Sequence, residues 1–249
     1  MLANITMEKL REMKLSVMAN HFNRQLTAPE VQNLSFEDRL GLLVDAEWAT
    51  RKSNRLTRLI RSAGYPYSDA AIEGIEYRPD RGLDKALLTR LDTCIYVKEC
   101  HNIILLGASG GGKTYVASAL GMAAHREFMA VKYTRLPELL AELAIARAEG
   151  SYRKVFKAYK QVNLLIFDEW LLFPLKEHES RDLLEIVEAR YKKGSTIFCS
   201  QFEVAGWYQK LGDATIADAI CDRIVHDSHV IVIRGEDSMR KHKGLQNEA

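Results

Sequence analysis

The 249-residue chain lacks several features that would assign it to a broad class. No apolar run approaches the roughly 18 residues that a membrane-spanning helix needs, and no signal-peptide pattern stands at its start. The four cysteines, Cys94, Cys100, Cys199 and Cys221, show no metal-type pairing. Three of them lie in apolar runs, where reduced, buried thiols are expected. Excess charge is missing as well. Lys and Arg number 35 against 33 Asp and Glu, a net charge of +2, so a nucleic-acid partner has to be argued from local clusters. A cytoplasmic, reducing location without membrane contact is the expectation. What is present is an ordinary globular composition, 47% hydrophobic and 27% charged, in a chain long enough for one large domain or a large and a small one.

One stretch organises the rest. Asn102–Leu106 reads as a buried strand, Gly107–Gly112 as a glycine-rich turn, and a helix opens at Lys113 with Val116, Ala117, Leu120 and Ala124 on one face. Gly107, four residues, then Gly112-Lys113-Thr114 is the phosphate-cradling P-loop spacing. Gly110, Gly111 and Gly112 can take positive φ, so successive N–H groups turn toward an anion at a helix N-terminus. Lys113 suits the β- and γ-phosphates, and the Thr114 hydroxyl suits a magnesium ion. Residues Gly107, Ala108, Ser109, Gly110, Gly111, Gly112, Lys113, Thr114 and Tyr115 are therefore expected to hold a nucleotide.

Upstream, residues 4–25 carry Leu10, Met13, Val17, Met18 and Phe22 at helical spacing, and Pro29 breaks the pattern. Ser35 followed by Glu37 and Asp38 predicts the start of a long helix that ends before Gly64. Its last third holds no acid between Arg51 and Arg61, and Arg51, Arg55 and Arg58 share one face. That stripe suits phosphate tracking or a solvated face equally. Residues 1–66 thus read as a helical domain and 67–82, punctuated by Gly74, Pro79 and Gly82, as a linker. From 83 to 249 helices alternate with strand candidates at 102–106, 130–134, 163–167, 196–200 and 230–233. Short apolar strands between helices predict an α/β fold with a mostly parallel five-stranded sheet.

The strand Leu164–Phe167 ends in Asp168 and Glu169, placing two carboxylates on the P-loop side of such a sheet. Asp168 suits the magnesium water shell, and Glu169 suits orienting an attacking water. A small-molecule kinase would instead use a carboxylate on a substrate hydroxyl, and the helical N-terminal domain argues against it. Ser200 or Gln201, ending the next strand, could bond the water or the γ-phosphate, or simply shape a turn.

Taken together, Gly82-Leu-Asp-Lys, the Gly107–Thr114 loop, Phe167-Asp-Glu-Trp170, the run from Arg181 to Tyr191, Cys199-Ser-Gln201, the run from Ile216 to Arg223 and Ser238-Met-Arg-Lys241 resemble the IstB-like ATPases. These are helper proteins encoded beside a transposase, similar to the helicase loader DnaC and more distantly to the initiator DnaA. The resemblance covers nearly the whole chain. It implies an AAA+ P-loop NTPase core, ATP and Mg2+ as cofactors, and hydrolysis assisted by Lys113 and Glu169. Gln201 would read the γ-phosphate, Arg223 would reach the ATP of the next subunit, and Arg240 would act on ATP of its own chain. It further implies a homo-oligomer with shared ATP sites, duplex DNA bound largely without sequence preference, and a partner transposase. A helicase loader is the alternative. Between the second and third strands, Arg135, Arg147, Arg153 and Lys154 occupy the place where initiator and loader relatives touch DNA, with Arg147, Arg153 and Lys154 flanking Gly150. Only nine residues follow Arg240, so little or no C-terminal helical lid is expected.

Overall fold

Residues 2–235 are described by a computed structural model of the chain, whose contacts divide into two units, Met1–Arg58 and Leu59–Ala249. In the first, the run expected as one helix splits into α1 (Leu2–Glu12) and α2 (Ser16–Thr27), because Lys14 takes φ 59° and ends the ladder. A short α3 (Pro29–Gln32) follows, with Pro29 in the first turn, where its missing N–H costs nothing. The long α4 (Phe36–Ala63) starts as predicted. Ser35 Oγ accepts the Asp38 N–H at 3.1 Å, and two acids stand at the positive end of the helix dipole. Ala19 and Leu43 are buried, and so is the Glu47 carboxylate, which accepts from Met18 N at 2.9 Å and Arg51 Nε at 2.7 Å.

Residues 67–82 are not the free linker that their glycines and prolines suggested. Ala70, Ile72 and Ile75 are buried in the core of the second unit, and Arg81 is only 4% exposed. The boundary falls after Arg58 instead of at 66, since Gly and Pro mark turns and say nothing about packing. Beyond them come α5 (Lys85–Asp92), capped by Asp84, then α6 (Ile95–Lys98), β1 (Asn102–Gly107) and α7 (Lys113–Arg126). Next are β2 (Val131–Arg135), α8 (Leu136–Ala148), α9 (Tyr152–Lys160), β3 (Leu164–Trp170) and α10 (Glu177–Arg190). The series ends with β4 (Ser195–Ser200), α11 (Val204–Leu211), α12 (Ala214–Val225) and β5 (Ser228–Ile233).

The five strands are parallel, in the order β2-β3-β4-β1-β5. Period-two alternation sends Ile103, Leu105, Ile166 and Ile197 to one face, against Val116, Ala117 and Leu120 of α7. Ile104, Leu106, Phe167 and Phe198 go to the other, against Leu183, Ile186, Trp207 and Ile220. Each such side chain contributes about 1.5–3 kcal/mol on burial. Both faces being covered, the strands read as continuous apolar runs, and every P-loop-side residue is delivered to the carboxyl edge of the sheet.

Candidate active site

The loop after β1 has the backbone that its sequence demands. Gly110 and Gly112 adopt φ of 78° and 95°, and a Cβ on Gly107 would come within 2.4 Å of Ile233 O on the neighbouring β5. Lys113 is buried, with Nζ donating to Gly107 O at 2.7 Å and Ala108 O at 2.8 Å across the loop. Burial holds its pKa below the ordinary lysine value.

Asp168 meets this loop across the sheet. Its Oδ2 accepts from Thr114 Oγ1 at 2.7 Å and from the Tyr133 hydroxyl at 2.8 Å, while Oδ1 accepts from Glu169 N at 2.8 Å. The β3–β4 register slips between Phe167 and Trp170, and Glu169 sits at φ 54°. A regular strand would turn Glu169 to the buried face that Phe167 and Trp170 share; with the slip, Asp168 turns in to the P-loop and Glu169 remains 26% exposed. Holding a non-glycine residue there costs about 1–2 kcal/mol. Arg135, ending β2, donates to Glu169 Oε1 at 2.5 Å and to Glu138 at 3.3 Å.

Two residues that sequence reasoning missed complete the loop's surroundings. Arg81, in the segment expected as a linker, donates to Glu76 O at 2.6 Å and to Gly111 O at 2.8 Å, tying the P-loop down from outside. Tyr133 is the other. A cavity of about 310 Å³ opens beside the loop, lined by Tyr67, Gly74, Ile75, Glu76, Arg81, Tyr115 and the loop's own Gly110, Gly112, Lys113 and Thr114. A Cβ on Gly74 would come within 2.4 Å of the Tyr115 hydroxyl, so a larger residue there would displace the end of that side chain. Only Pro79-Asp-Arg-Gly82 hinted at this arrangement, as a turn that carries one arginine.

The remaining expected residues are placed as follows. Gln201 is exposed and follows Ser200, whose register partners are Leu106 on β1 and Trp170 on β3, so it stands between the P-loop strand and the Asp168 strand. Ser200 is occupied structurally: it is buried, donates to Phe202 O at 2.9 Å and accepts the Trp207 indole N–H at 3.1 Å. Arg223, near the end of α12, donates to Glu188 at 3.0 Å and to Ala219 O. It borders a 20 Å³ cavity with Asn102, Thr196 and Asp227, at the amino edge of the sheet. Ser228 of β5 pairs with Asn102 and Ile233 with Gly107, so about 17 Å of strand separates Arg223's edge from the P-loop of the same chain. Arg240 lies outside the described residues. Gly150, at φ 73°, forms the expected corner between α8 and α9. Beside it Arg153 and Lys154 are exposed, whereas Arg147 pairs with Asp182 at 2.6 Å and covers the Tyr152 ring. Arg55 and Arg58 are exposed on α4, while Arg51 is engaged with Glu47 and, at 2.6 Å, with Lys14 O.

A P-loop after β1, an acidic pair after β3 and a polar residue after the strand between them, on this parallel sheet, define an AAA+ P-loop NTPase core, here with a helical N-terminal unit. The chain belongs to the IstB-like ATP-binding protein family, whose model matches residues 8–247. An insertion sequence ATP-binding protein of Sinorhizobium fredii is 41% identical over 243 residues, 98% of this chain and 99% of its own. The ATP-binding protein of insertion sequence IS1162 from Pseudomonas fluorescens is 38% identical over 201 residues, 81% of this chain and 87% of its own. Among solved structures, the DnaC helicase loader gives a TM-score of 0.58 at 17% identity, over 68% of this chain and 98% of that one. AMPPCP-bound DnaA from Aquifex aeolicus gives 0.57 at 20%, over 70% and 54%. The protein is thus an ATP-binding member of an insertion-sequence family. Among the described residues no helix is long and apolar enough to cross a membrane.

Proposed function

We propose that the protein hydrolyses ATP and acts as a DNA-remodelling helper in transposition, assembling on duplex DNA and recruiting its partner transposase. The observation that carries this reading is the linked set Thr114–Asp168, Asp168–Glu169 and Glu169–Arg135, which joins the P-loop to the start of the α8–α9 pair. Phosphates enter the amide cradle, and Lys113 exchanges its two loop carbonyls for phosphate oxygens. Thr114 and Asp168 are the residues that would hold Mg2+, which supplies charge neutralisation at the β- and γ-phosphates when bound. The adenosine end is assigned to the cavity that Tyr67 and Tyr115 line. Glu169 orients and polarises the attacking water, with Gln201 reading the γ-phosphate.

Arg135 ties Glu169 down. The α9 face that follows exposes Arg153, Lys154, Lys157 and Lys160, a surface suited to phosphate backbone. A DNA phosphate drawn to Arg135 would compete with Glu169 and release it. Arg223, at the far edge of its own sheet, is suited to a neighbour's γ-phosphate, which makes hydrolysis depend on assembly. Hydrolysis then resets the assembly. The N-terminal helices, with Arg51, Arg55 and Arg58, are the part left to meet DNA or transposase.

The test is DNA-dependent ATPase activity of Lys113→Ala, Glu169→Gln and Arg223→Ala proteins. Glu169→Gln should bind ATP and trap the assembled state. Full activity of dilute Arg223→Ala protein would remove the shared-site reading. The likeness to the DnaC loader keeps a helicase-loading role as the second reading. A gel-shift preference for single-stranded over duplex DNA would favour it.

A further inference from the structure

Edge strand β2 sends two side chains to the carboxylates that end β3: Arg135 to Glu169 and Tyr133 to Asp168. The second contact has no part in the scheme above. We propose that Tyr133 is a positioning residue of the cation site, its hydroxyl setting the orientation of the Asp168 carboxylate and thereby the affinity of the nucleotide-loaded protein for divalent cation. This rests on the reading of Thr114 and Asp168 as the pair that holds the cation.

A count of acceptor positions carries the inference. An ionised carboxylate offers about four. In Asp168, itself 6% exposed, three are taken: one on Oδ1 by Glu169 N, and two on Oδ2 by Thr114 and Tyr133. The donors come from β3 itself, from α7 and from β2, so rotating the carboxylate about its Cβ–Cγ bond breaks bonds to separate elements at once. Of the two hydroxyls on Oδ2, the Thr114 oxygen is the one that must also serve a cation. Tyr133 is therefore the anchor that does not change when the site fills. One position on Oδ1 remains for a water of the hydrated ion.

The tyrosine is itself well placed to act as a fixed point. Its ring is partly buried against the α7 side of the core and lies 6.4 Å from the ring of Tyr65, which stands edge-on to His125 at 5.6 Å. The Tyr65 hydroxyl is buried and has no hydrogen-bond partner among the described residues. Two neighbouring tyrosines thus form an internal comparison, one hydroxyl bonded to the site and one bonded to none of the described residues.

The experiment uses the full chain with Tyr133→Phe and Tyr65→Phe, a fluorescent ADP analogue, and Mn2+ as the cation probe read by its EPR signal. Tyr133→Phe should weaken Mn2+ binding to the ADP-loaded protein roughly tenfold to a hundredfold, the scale for losing a partner of a metal-site carboxylate. Nucleotide affinity in EDTA should stay native, and excess Mg2+ should restore turnover. Tyr65→Phe should leave all three readouts native. Native Mn2+ affinity in Tyr133→Phe, or an equal loss of nucleotide affinity in EDTA, overturns the proposal. Asp168→Asn separates the two layers: if it too binds Mn2+ normally, the cation pair itself was misassigned and the role of Tyr133 falls with it.

Discussion

Replacing Arg135 with alanine should raise the ATPase rate measured without DNA. The Arg135–Glu169 contact is short, 2.5 Å, but its members are 47% and 26% exposed, so solvent screens it. Such a pair is worth about 0.5–1 kcal/mol. Converted to populations, its loss frees Glu169 about two- to fivefold more often. Basal turnover of Arg135→Ala should therefore rise by that factor, and stimulation by DNA should shrink correspondingly. Arg135→Lys should fall between, since a single ammonium keeps the charge without the forked geometry. Salt offers an independent check. The screening length drops from about 10 Å at 0.1 M to about 3 Å at 1 M, so basal turnover of the native protein should climb with salt while Arg135→Ala responds less. Loss of DNA stimulation alone would not discriminate, because Arg135 is also an expected DNA contact. The basal rate does. A rate at or below native, with nucleotide binding and melting temperature unchanged, would refute the idea that this arginine restrains Glu169.

Lys113→Ala should abolish binding of a fluorescent ATP analogue and lower the melting temperature modestly, since it leaves Gly107 O and Ala108 O without a donor while relieving a buried ammonium. Arg81→Met should act more on stability and less on binding. It orphans Glu76 O and Gly111 O at a net cost of about 2 kcal/mol, or roughly 4–8 °C in a thermal melt, and weakens nucleotide binding through the loosened loop. His125 is buried, bonds Met129 O through Nδ1, and is held below its ordinary value of 6.5 by burial. The unfolded chain takes up that proton first, so stability present above about pH 6.5 is lost as pH falls through it, at up to about 1.4 kcal/mol per pH unit. Urea midpoints of His125→Gln should fall less steeply over that range than those of the native protein. Burial pushes the Cys94 and Cys221 thiols up to about 11 and raises Cys199 as well. A thiol reagent near neutral pH should thus label half-buried Cys100 first, as mass spectrometry of the native protein would show.

How much of this was legible beforehand depended on the range of each signal. The five strands, the P-loop turn and the Ser35 cap rest on residues within a few positions of one another, and all appear as read. The break at Lys14 was hidden because α1 and α2 share one helical apolar period, and nothing in that period forbids a turn. The 67–82 segment misled for the opposite reason, its turn residues being real but its apolar members packing on the core. Spacing alone leaves Ser200 and Gln201 open and the family resemblance favours Gln201; Trp207, brought back by α11, occupies the serine.

The sequence by itself therefore determined the sheet, the phosphate loop and the presence of two carboxylates beside it, because backbone conformation and apolar period are local properties. The tertiary structure alone decided what each charged group does. Arg135 faces Glu169, Tyr133 faces Asp168, Arg81 holds Gly111 O, and Arg147 is spent on Asp182. Each of these partners lies about thirty residues away along the chain, at a distance where only packing, and no spacing rule, brings two side chains together.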